Sequence, residues 1–340
     1  MISINDKKLE ELEEIFKRKS YQKFRAKQVY RSIHVNRIND FDQMTDLPLA
    51  MRDDLKKEFS IDNISLLETY KSKRDSTKKY LLELKDKNII EAVYMDYKDR
   101  STICISSQVG CRMGCVFCAS TKNGLERNMT ASELIEEVYL LERLNGPISN
   151  IVIMGIGEPL DNFENIKRFI EIITDPKGRN LSHRSITLST SGLAPQIRAL
   201  ANTGLDVNLA VSLHYADDKK RRAYMPVAKK YPIRELIDAT DYYLEKTKRR
   251  VSFEYVVIDG VNNLNEDVEN LHNLLFAKNV HINLIPLNPI EEFDHDKPHT
   301  RVLEEFRSKL VNRGLNATIR KSMGSDIDAS CGQLRNNYAR

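Results

Sequence analysis

Residues 104–120 read CISSQVGCRMGCVFCAS. The first part belongs to a short β-branched run, 102–107 (TICISS), of the kind that forms a buried strand. The second part, CRMGCVFC at 111–118, sets three cysteines in C-x3-C-x2-C spacing. Beyond it, Thr130 followed three residues later by Glu133 reads as a capping box that opens a helix over 131–145. Strand, cysteine loop and helix form one unit, and the chain beyond it continues the strand–helix alternation.

Further strand candidates are 150–154 (NIVIM), 185–190 (SITLST), 207–213 (VNLAVSL), 251–258 (VSFEYVVI), 280–286 (VHINLIP) and 316–320 (NATIR). Helical patterns at 162–174, 233–246, 265–277 and 301–313 lie between them. This alternation predicts a parallel α/β architecture, closed or partly closed into a barrel. A doubly wound open sheet satisfies the same pattern.

The first 95 or so residues differ. Residues 7–60 are helical and heavily charged, and 78–84 with 89–94 read as a hairpin. The expected division is an accessory RNA-binding domain at 1–95 and a barrel domain at 96–340. Residues 17–31 (KRKSYQKFRAKQVYR) carry basic residues without acidic ones, interleaved with Tyr21, Phe24 and Tyr30. Such a segment can neutralise phosphates and stack on unpaired bases, or can be a solvated helix face. Lys219, Lys220, Arg221 and Arg222 form a second cluster that either faces a polyanion or starts a charged helix.

Composition narrows the class. Of 340 residues, 53 are Lys or Arg and 49 Asp or Glu, a net charge of +4 that announces no polyanionic partner by itself. The hydrophobic share of 41% supports a large core. No apolar run is long enough to span a membrane, and MISINDKKLEELEE lacks the apolar stretch of a secretory signal. Five cysteines are too few and too uneven for a secreted disulfide scaffold. The expectation is a cytoplasmic protein.

Three close thiols suit a metal centre or a redox relay, or are a coincidence of sequence. A zinc site needs a fourth ligand, here Cys104, Cys331 or a distant histidine. A [4Fe–4S] cluster takes one thiolate per iron, so three leave one iron open to a small molecule. The spacing favours the cluster. Taken alone, Cys331 reads as a buried structural thiol and Cys104 as an inert strand residue.

The C-x3-C-x2-C loop resembles the signature of the radical S-adenosylmethionine (SAM) superfamily. CISSQVGCRMGCVFCAS (104–120), MGIGEPLDN (154–162), ITLSTSG (186–192), VSLH (211–214), NLIPLNP (283–289) and GSDIDASCGQL (324–334) together resemble the RlmN/Cfr family of RNA adenosine methyltransferases. The likeness keeps the family's order and spacing from about residue 75 to 338.

This resemblance implies a partial (β/α)6 barrel, a [4Fe–4S] cluster and two SAM molecules per methyl transfer. It implies that Cys111, Cys115 and Cys118 hold the cluster. Cys331 would carry the methyl group as S-methylcysteine, and Cys104 would resolve the protein–RNA adduct by a disulfide with Cys331. Glu91 matches the position of a general base. Its alternation with Ile90 and Ala92 also fits an outward-facing strand glutamate, and Cys104 is a rival base. Gly157 and Glu158 match the contact to the amino end of SAM, and Ser189, Ser212, Leu213, His214 and Asn288 match other SAM contacts. The G-x-G of this motif is not a dinucleotide turn, because Leu160 stands where the third glycine belongs.

The implied partners are 23S rRNA, protein-free or in early assembly, and in some lineages a tRNA adenosine next to the anticodon. An electron donor such as flavodoxin or ferredoxin is implied too, with a monomer and no membrane. GEPL, LSTSG, IPLNP and Val109 resemble the branch that methylates C2 rather than C8 of adenine. A rival from another class is a non-catalytic RNA-binding protein with iron–sulfur or zinc. The presence of both Cys104 and Cys331 argues against it.

Overall fold

The seven Val- and Ile-rich runs come together in one sheet. The computed structural model describes residues 2–61 and 64–335. It begins with β1 (Ile2–Ser3), α1 (Leu9–Arg18), α2 (Lys23–His34), α3 (Leu49–Glu58) and β2 (Phe59–Ser60), with β1 and β2 paired in parallel. Then come β3 (Ser65–Lys71), β4 (Lys78–Glu83), β5 (Ile89–Tyr97) and β6 (Arg100–Ile105). The short strands β7 (Gln108–Gly110) and β8 (Leu125–Asn128) flank the cysteine loop. The alternation proper continues with α4 (Ala131–Asn145), β9 (Asn150–Ile153), α5 (Phe163–Ile173), β10 (Ile186–Thr190) and α6 (Ala194–Ala201). It proceeds through β11 (Asn208–Ser212), α7 (Asp218–Tyr224), α8 (Ile233–Thr247), β12 (Val251–Val257) and α9 (Asn265–Leu275). It ends with β13 (Val280–Pro286), α10 (Thr300–Asn312) and β14 (Ala317–Ile319).

The ten-stranded sheet runs β14-β13-β12-β11-β10-β9-β6-β5-β4-β3. From β6 to β14 every neighbouring pair is parallel, which requires the helical crossovers that the sequence supplies. Sheet order thus follows chain order through six strand–helix units, as in a partial (β/α)6 barrel. On its other side β6 pairs antiparallel with β5, so the expected hairpin, β4 with β5, continues the barrel's own sheet.

Helix ends and faces follow from local chemistry. Thr130 caps α4: its Oγ1 accepts the Glu133 N–H and the Glu133 carboxylate accepts the Thr130 N–H. On α5, Ile166, Phe169, Ile170 and Ile173 are buried, each worth about 1.5–3 kcal/mol.

The N-terminal helices dock on the barrel through polar contacts. Tyr30 Oη donates to Asp175 at 2.6 Å, and Glu142 takes both Arg37 and Arg179. His34 Nδ1 meets Tyr139 Oη at 3.0 Å, and burial pushes the imidazole pKa down to about 3, so it is neutral. The basic stretch 17–31 is less available than its sequence suggests. Lys19 pairs with Asp54 and Glu58, and Lys23 with Glu13. Tyr30 is buried and Tyr21 donates to Asp54, leaving Phe24 as the exposed ring. Helix packing takes two of the three aromatics expected to stack on bases.

Candidate active site

The C-terminal ends of the barrel strands surround an open cavity. Cys111, Cys115 and Cys118 line one side, with Met113 and Phe117 between them. The loop carrying them is closed at its base by the β7–β8 ladder, in which Gln108 pairs with Asn128 and Val109 with Arg127. Arg112 clamps the loop to the segment after β9, donating to Asp161 from Nε at 2.8 Å and from Nη2 at 2.5 Å.

The segment after β9 brings Gly157 and Glu158 to the same cavity. Gln108 Oε1 accepts the Glu158 N–H at 2.8 Å. The buried Glu158 carboxylate accepts the Ser191 N–H at 2.6 Å and the Leu160 N–H at 3.1 Å. Burial raises its pKa despite these bonds. A carboxyl held this way can receive an ammonium group. Ser189, Ser212 and Asn288 also face the cavity. Leu213 does not. Its side chain is buried in the core, where packing rather than ligand contact explains its type.

His214 lines the wall in a left-handed backbone conformation, φ 56°. Its Nδ1 accepts the Val256 N–H at 3.0 Å, so a neutral ring carries its proton on Nε2. Burial pushes its pKa down to about 3, which keeps it neutral.

Cys331 reaches the cavity from the far end of the chain. Its loop is tied at several points. Asn288 Nδ2 donates to Cys331 O at 3.1 Å, and Gly332 O accepts the Ala119 N–H at 2.8 Å. Ser120 Oγ donates to Leu334 O at 2.7 Å. Cys331 therefore sits beside the cysteine loop.

A second cavity of about 540 Å3 is lined by both Cys104 and Cys331, with Arg320 and Met154. Cys104 lies on β6 opposite Val93 of β5. Val93, Met95, Cys104, Ile156, Met323 and Leu334 form a small apolar cluster apart from the main core. Burial, and next the neighbouring Cys331, push the Cys104 thiol pKa well up. Glu91 shares the Val93 face of β5, two residues away. It is 1% exposed, so the outward-facing reading does not hold. Its other face, Ile90 and Ala92, joins the main core, and the C-terminal segment covers Glu91 itself.

Two charged residues at the site are absent from the sequence reading. Arg320, just after β14, lies 3.6 Å from both Glu254 and the Met154 sulfur and lines both cavities. Glu254, on β12, accepts from Asn283 Nδ2 at 2.9 Å. Arg221, one of the basic cluster that either faces a polyanion or starts a charged helix, is fully buried. Its strand-facing position on α7 takes it inward, while Lys220 pairs with Asp267. No spacing in the sequence separates these roles.

Among the described residues, no three His, Cys, Asp or Glu side chains close on a single ion. A cluster offers a separate iron to each thiolate, so the three cysteines of one loop facing one cavity fit it. Burial raises all three thiol pKa values, that of Cys111 to about 12, and iron would reverse this by deprotonating them.

The open barrel and the cysteine loop over its strand ends define a radical SAM enzyme. The family model of the Radical SAM superfamily matches residues 105–275, and that of the ribosomal RNA large subunit methyltransferase N-terminal domain matches 2–61. A probable dual-specificity RNA methyltransferase RlmN of Lachnoclostridium phytofermentans is 48% identical, over 99% of this chain and 95% of that one. One of Finegoldia magna is 46% identical, over 99% and 97%. The crystal structure of a radical SAM methyltransferase from Sphaerobacter thermophilus superposes with TM-score 0.95 at 40% identity, covering 99% of this chain and all of that one. The chain belongs to the RlmN family. Its superfamily uses a [4Fe–4S] cluster and SAM. Among the described residues, no helix is long and apolar enough to cross a membrane.

Proposed function

We propose that the protein methylates C2 of an adenosine in 23S rRNA, and an adenosine of tRNA beside the anticodon, through a methyl group carried on Cys331. The observation that carries this reading is the adjacency of Cys331 to both the cysteine loop and Cys104. One sulfur borders the cavity at the strand ends and the second, smaller cavity alike.

Cys111, Cys115 and Cys118 would hold a [4Fe–4S] cluster, which would supply the electron for reductive cleavage of SAM and so the radical that the reaction needs. Glu158 and the peptide at Gly157 hold the amino end of SAM, and Ser189, Ser212, His214 and Asn288 complete its walls. Cys331 first takes a methyl from one SAM, and its S-methyl group then gives a hydrogen atom to the radical from another. The carbon so formed adds to adenine C2, an aromatic position too weakly nucleophilic for ordinary displacement at a sulfonium. Once the adduct radical has given up one electron, which the oxidised cluster would take back, Glu91 takes the ring hydrogen as a proton. The Cys104 thiolate attacks the Cys331 sulfur, the S–C bond breaks as the disulfide forms, and the departing carbon takes up a proton to leave as the methyl group of the RNA. A low-potential electron donor of the flavodoxin or ferredoxin type feeds the cycle. The GEPL and IPLNP segments support C2 over C8.

The test is to incubate reconstituted enzyme with protein-free 23S rRNA or tRNA, SAM and a reductant, then digest the RNA and separate the nucleosides. 2-Methyladenosine from both RNAs is expected. 8-Methyladenosine would overturn the regiochemistry, and 2-methyladenosine from one RNA only would overturn the second substrate. Methyl transfer surviving in Cys331→Ala would overturn the carrier.

A further inference from the structure

Arg221 has the largest side chain that is fully buried among the described residues. A guanidinium keeps its charge in a protein, and burying it is costly unless its donors are met. Two of its nitrogens are met by backbone. Nε donates to Leu213 O at 3.2 Å, and Nη2 to Ser191 O at 2.6 Å and Ser212 O at 3.3 Å. These carbonyls lie at the ends of β10 and β11, where Ser189, Ser212 and His214 enter the cavity. Nη1 has no acceptor among the described residues.

The surroundings of this free donor point to the cysteine loop. Helix α7 is wedged beneath it: the Val116 N–H donates to Tyr224 O at 3.1 Å, and a Cβ on Gly114 would sit 3.2 Å from the Pro226 ring. The guanidinium is closely confined, since a Cβ on Gly192 would lie 3.0 Å from Nη2. Cys115 and Asp218 lie close enough to Arg221 for their charged forms to interact with it.

We propose that Arg221 is the electrostatic partner of the cluster: a buried positive charge beside the ligand Cys115, with an N–H free for a ligand sulfur, that favours the reduced state. The inference rests on the three-cysteine ligand assignment. A [4Fe–4S] core bound by three thiolates is anionic, and one-electron reduction by a low-potential donor adds another negative charge. In a low-dielectric interior a fixed cation offsets that charge, and hydrogen bonds to sulfur act in the same direction. Arg221 is thus a positioning residue with two separable effects. Its donors brace two strand ends, and its charge sets how readily the cluster accepts an electron.

Redox titration of reconstituted wild type, Arg221→Gln and Arg221→Lys, followed by the electron paramagnetic resonance signal of the reduced cluster, separates the two effects. SAM affinity is measured alongside. Arg221→Gln is expected to be reduced at least about tenfold less favourably, which is ~59 mV more negative for one electron. Arg221→Lys keeps the charge but not the three carbonyl bonds, so its potential is expected to stay near wild type while SAM binding weakens. An unchanged potential in Arg221→Gln overturns the proposal, as does a Lys variant that shifts with it. If Arg221→Gln fails to fold or to load, Arg221→His decides. Its charge titrates, so a potential that varies between pH ~5 and ~8 is expected against a flat wild type. A flat Arg221→His, or one that also takes up no cluster, overturns the proposal. Failure of the ligand assignment looks different: Cys115→Ala would load as well as wild type.

Discussion

Glu91 on β5 accepts a hydrogen bond from the backbone N–H of Arg335 at 2.7 Å, across 244 positions of sequence. Its other oxygen lies 3.0 Å from Lys79 Nζ. The carboxylate therefore ties the barrel's antiparallel extension to the segment that carries Cys331. It is held on the face of β5 that looks toward Cys104.

A tether and a base respond differently to Glu91→Gln. The amide still accepts the Arg335 N–H, so the C-terminal segment stays docked. It takes up no proton. Mass spectrometry is expected to find Cys331 still methylated and product formation down by about 100-fold or more, with protein-bound RNA accumulating. Normal product from this variant would leave Glu91 the tether alone.

The Cys104 thiol must be deprotonated to attack Cys331, and burial holds its pKa above the ordinary 9.0. The thiolate fraction rises with pH, so release of RNA from the adduct should accelerate across pH 7 to 9 without a plateau. Quenched-flow assays of the adduct would show it. A plateau below pH ~8 would mean another group limits the step. Cys104→Ala should hold the adduct indefinitely.

The sheet was legible because its parallel strands are short apolar runs set between helical patterns, and each of the seven runs became a strand of the barrel. Helices α6 and α7 were not read as such. They have only 8 and 7 residues, too few turns for a period to stand out. Strand β3 is mostly exposed and carries no clear alternation. At the site, the cysteine loop was legible because its ligands are close in sequence. Arg320 and Glu254 were not, since their partnership joins β12 to the end of β14 and exists only in the fold. Glu91 fails for the same reason. Alternation marks one strand face as buried but is silent about a distant segment that covers the other.

Asp326 is the anchor of the Cys331 loop farthest from chemistry. Its carboxylate accepts Ser72 Oγ at 2.7 Å and the Lys73 N–H at 2.8 Å, and Asp75 accepts the Gly324 N–H at 3.0 Å. The Lys73 N–H and Ser72 hydroxyl hold the Asp326 pKa below its ordinary 3.8. The tether is therefore at full strength above that value and is lost as pH falls through the lower, folded one. Asp326→Ala should raise hydrogen exchange over 323–331 at neutral pH and slow methylation of Cys331. The melting temperature should barely move, since the anchor is exposed. A large drop in melting temperature would show that the loop is part of the global fold.

Gly157 tests whether the SAM wall needs glycine for conformation or for space. Its φ is +109°, and a Cβ there would lie 2.6 Å from Ser107 Oγ and 2.7 Å from Gln108 Cβ. Gln108 holds the Glu158 N–H, so any displacement passes directly to the carboxylate that faces the cavity. Gly124 supplies the control: its φ is +69°, but a Cβ would meet nothing within 4 Å. Gly124→Ala should cost about 1 kcal/mol of backbone strain and leave SAM affinity unchanged. Gly157→Ala should cost about 2–4 kcal/mol and weaken SAM binding more than tenfold, because strain and overlap act together. Calorimetric SAM binding with thermal melts of both variants decides the matter. Equal effects would mean backbone conformation alone requires glycine, and the close approach of β9's loop to Gln108 has no part in binding.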